Sequence, residues 1–186
     1  MAKKMEKYFL ALVPRGRVQE LAEGVKAALK ERFGVKYALK SPAHVTVKMP
    51  FLWNENKEEE LKRILGSFAA DHAPFALILK GFGHFRQRII FIHVWPQQRL
   101  DELQAALREL SKVKLKLDVE LSDQNFRPHM TVAYNDLKKK DFQDCFEYVR
   151  SLGFDQRMQV EDLALLKKRE GRWEVLTRFP LGKTEA

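Results

Sequence analysis

The chain of 186 residues has one cysteine, Cys145. No internal disulfide can form, so a disulfide-stapled secreted scaffold is excluded. Long apolar runs are missing too. None reaches the roughly 18 residues of a membrane helix, so no membrane partner is expected. Residues 1–7 are basic but lead into no apolar stretch with a small-residue cleavage site, which speaks against a secretory leader. No Gly-rich loop ends in Lys-Ser or Lys-Thr, so ATP-driven chemistry is not suggested. There is no His-Glu-x-x-His, no cysteine pair and no aspartate cluster, so neither a metal nor another cofactor is expected. Linkers rich in Gly, Pro or Ser are absent, and residues 1–186 read as one domain. Acidic residues are the minority: 25 Asp+Glu stand against 34 Lys+Arg, a formal charge of +9. That excess favours anionic partners, RNA or phosphate esters among them. With 45% hydrophobic residues, the expectation is a folded, soluble, cytoplasmic monomer.

The apolar pattern along the chain gives the elements. Residues 8–13 read as a buried strand closed by Pro14. Val18, Leu21, Ala22, Val25, Ala28, Leu29 and Phe33 recur at three- and four-residue steps, which predicts a helix over 16–33 capped by Gly34. A strand is expected over 44–49, between Pro42 and Pro50, and a helix over 58–70 with Leu61, Ile64, Leu65 and Phe68 as its stripe. Residues 75–79 and 89–95 read as strands around a glycine turn, Gly81-Phe82-Gly83. A helix over 97–111 follows. Residues 112–121 alternate with period two and read as a short strand or an extended loop. A strand over 129–134, a helix over 138–151 and a closing hairpin, 158–167 with 173–180 around Glu170-Gly171, complete the chain. The order repeats between halves, so two similar α+β lobes packed together is the economical architecture.

Two segments share one pattern: His44-Val45-Thr46-Val47 and His129-Met130-Thr131-Val132. On a strand, residues i and i+2 share a face. Each segment therefore presents an imidazole beside a hydroxyl on one face and two apolar side chains on the other. Two imidazoles flanking one phosphate can serve as general base and general acid, because histidine titrates near neutral pH. Each threonine hydroxyl can donate to a non-bridging phosphate oxygen.

Two His-x-Thr-x motifs about 85 residues apart, in a basic chain of this length, resemble those of the 2H phosphoesterase superfamily, and within it the 2′-5′ RNA ligase or cyclic phosphodiesterase-like family. The resemblance extends to Tyr8-Phe9-Leu10-Ala11-Leu12, to Gly81-Phe82-Gly83-His84-Phe85 with Ile89-Ile90-Phe91-Ile92, to Pro128 before the second motif, and to Leu163–Leu166 with Gly171-Arg172-Trp173-Glu174-Val175. It implies a bilobal α+β fold: two antiparallel sheets with flanking helices, related by pseudo-twofold symmetry, with the active-site groove between the lobes. It implies His44 and His129 as the acid–base pair and Thr46 and Thr131 as phosphate binders. It implies RNA or a nucleotide with a 2′,3′-cyclic phosphate as substrate, hydrolysed to a 2′-phosphomonoester. A 2′-5′ ligase or phosphodiesterase, or a non-catalytic RNA-binding module, are the alternatives. The chain departs from the family's pattern at Ala133-Tyr134, where many members carry an arginine close by, and at Met49-Pro50-Phe51, which replaces a more usual Phe-Leu-Gly.

Four further residues are candidate substrate contacts. Arg127 lies two residues before His129, and Lys48 continues the His44–Thr46 face. Phe9 could stack on a base, and His93 faces the groove or solvent opposite Ile92 and Val94. By strict alternation Tyr134 falls on the face opposite His129, which predicts core packing. Cys145, between Phe142 and Phe146, reads as inert packing. His84 and Arg86-Gln87-Arg88 read as a charged turn or an arm that grips RNA.

Overall fold

The computed structural model describes residues 2–182. The elements in chain order are β1 (Met5–Leu12), α1 (Gly16–Phe33), β2 (Val45–Asn54), α2 (Glu58–Ala70), β3 (Phe75–Phe85), β4 (Ile89–Val94), α3 (Gln98–Val113), α4 (Leu121–Gln124), β5 (His129–Ala133), α5 (Phe142–Leu152), β6 (Asp155–Val160), β7 (Asp162–Arg169) and β8 (Arg172–Pro180). They form two antiparallel four-stranded sheets, ordered β2-β1-β7-β8 and β5-β4-β3-β6. Each His-x-Thr strand is thus an edge strand, β2 in one sheet and β5 in the other. This is the bilobal α+β architecture expected, with the pseudo-twofold relating β2 to β5 and β1 to β4.

One core runs through both lobes. Leu10 and Leu12 of β1, Ile90 and Ile92 of β4, Met130 of β5 and Leu163 and Leu165 of β7 belong to a single buried cluster. The helices follow from their apolar stripes: α1 buries Ala22, Val25 and Leu29, and α2 buries Leu61, Leu65 and Phe68. Gly34 ends α1 in the left-handed conformation, and its N–H donates to Lys30 O. Cys145 lies buried in this core, which pushes its thiol up to about 11.

Several boundaries differ from the sequence pattern. β2 continues through Pro50 to Asn54, because an edge strand has no ladder partner for the missing N–H. The glycines Gly81 and Gly83 lie inside β3 and make no turn. Gly81, at φ +75°, accompanies a register shift between Leu79 and Phe82. Gly83 leaves room for the rings of His93 and Phe91, since a Cβ there would come within 2.8 Å of both. The turn itself is Arg86-Gln87, closed by Arg88 N–H donating to Phe85 O. Residues 114–120 form no strand; Leu115 is buried in a loop that leads to α4. The segment read as 158–167 divides at Glu161, where the chain passes from one sheet to the other.

Candidate active site

His44 immediately precedes β2, and its Nδ1 lies 2.7 Å from Pro42 O. His129 opens β5, and its Nδ1 lies 2.7 Å from Arg127 O. A carbonyl oxygen can only accept, so in both rings Nδ1 carries the proton and donates it. Nε2 is left as the free nitrogen in each case. The two motifs therefore use one local device, a histidine pinned to the carbonyl two residues back. Each imidazole also packs on an aromatic ring from the neighbouring strand. Phe9 of β1 lies 4.9 Å from His44, and Phe91 of β4 lies 5.3 Å from His129.

Both histidines and both threonines line one cleft of about 450 Å³, together with Phe9, Tyr134 and Trp173. Neither threonine hydroxyl is engaged by another protein group among the described residues. The protein strips water from His44 and so lowers its pKa to about 4; nearby Lys26 and His129 push the same way. Desolvation also lowers His129, against the hydrogen bond to Arg127 O, which raises it. Both rings are thereby biased toward the neutral form, with one nitrogen available as a proton acceptor.

Lys48 does not extend this cleft, contrary to the alternation of β2. Thr46 pairs with Ala11 and Lys48 with Leu10, so three residues of β2 span two of β1. Val47 is the extra residue of a β-bulge, and the bulge carries Lys48 onto the buried side. There its Nζ lies 2.6 Å from Asp123 Oδ2, with both side chains almost wholly buried. Asp123 Oδ1 accepts from Met49 N–H at 2.9 Å. The pair therefore bolts α4, which precedes the second motif, to the strand of the first.

The second motif has the same bulge. Phe91 pairs with Thr131 and Ile90 with Ala133, leaving Val132 as the extra residue. Val132 and Ala133 are both buried, and Tyr134 comes round into the cleft. The expectation of core packing for Tyr134 is corrected on this ground. Met49 and Tyr134, each five residues after its histidine, both line the cleft.

Arg127 lines an adjoining part of the groove with Phe85, Arg86 and Phe126. Phe9 belongs to a small apolar cluster with Ala11, Val13, Ala164 and Leu166, against which Trp173 packs; its ring meets Trp173 edge-on at 4.7 Å. His93 is exposed, pairs across the ladder with His129 and lies against Phe91. It shares the face of His129 but stands outside the cleft wall. His84 packs its ring against Phe142 and Phe146 and borders the Arg127 part of the groove. Trp53 donates Nε1–H to Lys57 O and plugs the far end of β2. Phe85 and Trp173 carry no sequence signal as cleft residues, because each is far along the chain from either motif. Tyr134 does carry one, the offset it shares with Met49. Among the described residues no three His, Cys, Asp or Glu side chains gather as a metal-ligand group. No described helix is long and apolar enough to cross a membrane.

Fold and cleft together define a bilobal α+β protein built around two symmetry-related His-x-Thr strands. Residues 14–172 match the model of the 2′-5′ RNA ligase superfamily. The chain belongs to that family, whose members are 2H phosphoesterases. A Geobacillus sp. (strain WCH70) relative named "Putative phosphoesterase" is 28% identical over 182 residues, covering 96% of this chain and 98% of its own. A Staphylococcus haemolyticus relative of the same name is 29% identical over 180 residues, covering 92% and 97%. Among solved structures, E. coli LigT complexed with 3′-AMP superimposes with a TM-score of 0.66 at 18% identity, over 97% of this chain and 100% of LigT. TT0787 of Thermus thermophilus gives 0.65 at 19%, over 96% and 100%. These likenesses establish the shared fold.

Proposed function

We propose that the protein is a metal-independent RNA 2′,3′-cyclic phosphodiesterase that opens the cyclic phosphate to a 2′-phosphomonoester by paired-histidine acid–base catalysis. The observation that carries this reading is the matched pair of imidazoles. Each is held by the carbonyl two residues back with Nε2 free, and both line one cleft with two unengaged threonine hydroxyls. The relatives named phosphoesterases, and LigT's complex with 3′-AMP, support a nucleotide phosphate as the group bound there.

In the reaction, a water oxygen attacks phosphorus while a neutral imidazole takes its proton at Nε2. The phosphorus–O3′ bond breaks, and a protonated imidazole gives its Nε2 proton to O3′. The products are a 2′-phosphomonoester and a 3′-hydroxyl. The first histidine ends protonated and the second neutral, and solvent resets both. Thr46 and Thr131 donate to the non-bridging oxygens as charge builds on them. His44 suits the base role, since at about 4 it stays neutral at working pH. His129 then serves as the acid: desolvation lowers it too, but Arg127 O accepts from Nδ1–H in the charged form and favours keeping the proton.

The test is turnover of nucleoside 2′,3′-cyclic monophosphates by wild type, His44→Ala and His129→Ala. Each substitution is expected to lower kcat by at least about 100-fold, the usual worth of a general acid or base. Near wild-type rates in either variant would overturn the pairing. On a diester with a p-nitrophenolate leaving group, which departs without a proton, His129→Ala is expected to recover and His44→Ala is not. The same ring opening, with a 5′-hydroxyl in place of water, would form a 2′-5′ linkage. The groove's extension past His129 toward Arg127 keeps that reading open to a direct check, in which RNA halves bearing the cyclic phosphate and a 5′-hydroxyl are incubated and any new linkage mapped.

A further inference from the structure

A second cavity of about 630 Å³ adjoins the catalytic cleft and shares Ile89 and Tyr134 with it. Three cations line it, Arg86, Arg88 and Lys139, with Gln87 and Asn135 between them and no carboxylate. Among the described residues none of the three cationic side chains is engaged in an ion pair or hydrogen bond. Elsewhere cations near cavities sit beside acids: Arg108 and Lys112 share theirs with Glu109 and Asp118. An uncompensated cluster of this kind raises the local potential and concentrates anions.

The backbone supplies an independent observation. Five described non-glycine residues have positive φ, and three of them line this cavity: Arg86 at 48°, Gln87 at 54° and Asn135 at 66°. Arg86 and Gln87 are the two central residues of the β3–β4 turn, a position that favours Asn-Gly. Left-handed backbone is unfavourable for residues with long side chains. Such strain collects at ligand clamps. Here it keeps two long polar side chains at the cavity's rim where the turn alone would discard them.

We infer that this cavity is a second anion subsite, which takes the backbone phosphate of an RNA nucleotide next to the one whose phosphate lies between the histidines. The inference rests on the proposed cyclic-phosphate reading and deepens it, since it makes an oligonucleotide the substrate that uses the whole surface. Tyr134, at the boundary, offers a ring on which the intervening base can stack. Arg86 also lines the groove on the Arg127 side, so the hairpin tip overhangs the path of the strand in both directions.

The test uses Arg88→Gln/Lys139→Gln, two exposed residues outside the catalytic cleft. Binding of a fluorescent single-stranded RNA oligonucleotide is measured by anisotropy across a salt series, and turnover of a nucleoside 2′,3′-cyclic monophosphate is measured in parallel. The expected result is about tenfold weaker oligonucleotide binding and a salt slope reduced by about 0.7, the worth of one lost single-strand phosphate contact. Mononucleotide turnover should stay at the wild-type rate. Oligonucleotide affinity and salt slope equal to wild type would overturn the subsite, whatever the enzyme's rate. If wild type turns over no cyclic phosphate while the variant still loses RNA affinity, the surface stands and the reaction assigned to the cleft falls.

Discussion

At the scale of single residues, the site depends on protons held in particular places. In the reaction proposed above His44 stays neutral: against a usual value of 6.5, the fold holds it at about 4. The folded pKa lies below the unfolded one, so the unfolded chain binds the extra proton first. Stability is therefore undiminished above pH 6.5, declines as pH falls through 6.5, and levels off once pH is below the folded value near 4. The loss from this one ring amounts to about 3 kcal/mol when complete. Urea unfolding at pH 7.5 and at pH 4.5 should show a smaller acid loss in His44→Gln than in wild type; equal losses would contradict the assignment. The Lys48–Asp123 pair gives a second prediction. Asp123→Ala strands a buried ammonium and should cost about 3–5 kcal/mol. Adding Lys48→Met removes that charge and should recover at least about 1 kcal/mol, even though Met49 N–H and Glu120 N–H lose their acceptor. A double variant no more stable than the single, judged by urea midpoint, would show that charge burial is not the dominant cost.

At the scale of elements, two bulges and one turn decide what reaches the groove. Period-two alternation makes the His44/Thr46 and His129/Thr131 pairs legible in the sequence, because i and i+2 share a face wherever a strand is regular. The same rule fails for Lys48 and Tyr134. A single extra residue, Val47 or Val132, reverses the side chains that follow it, in β2 until a second register shift between Lys48 and Phe51, and valine at these positions gives no sign of it. The β3–β4 turn escapes the pattern for a related reason. Gly81 and Gly83 look like a turn, but the first serves a register shift and the second the close approach of Phe91 and His93. The turn falls on Arg86-Gln87, which carry the strain instead. Gln87→Gly should therefore stabilise the protein by about 0.5 kcal/mol, the net of relieved left-handed strain and the entropy glycine gains when unfolded. Thermal midpoints of the two proteins measure this, and a lowered midpoint would remove the strain argument.

At the scale of the molecule, the two lobes are halves of one body. Their sheets face a common core, so neither lobe buries its apolar surface alone. Unfolding is expected in one cooperative step. Trp53 and Trp173 lie in one lobe and Trp95 follows β4 in the other, so tryptophan fluorescence and far-ultraviolet circular dichroism should give coincident curves. Two separated transitions would mean that the lobes are independent. Part of the +9 charge also finds a place at this scale: Arg86, Arg88 and Lys139 line the cavity beside the cleft.

The sequence by itself determined the class of fold and which side chains of the two motifs share a face, because both rest on local periodicity. Apolar stripes at three and four residues set the helices, and the His-x-Thr-x alternation set the two motif strands. Only the tertiary structure decided that β2 and β5 would be the sheet edges, that Lys48 would be buried against Asp123, and that Trp173 and Phe85 would join the cleft. Those outcomes depend on strand order, on one-residue register shifts and on contacts between residues as far apart as Phe9 and Trp173. Their free energy comes from pairing across the whole chain, so no stretch of sequence read alone carries it.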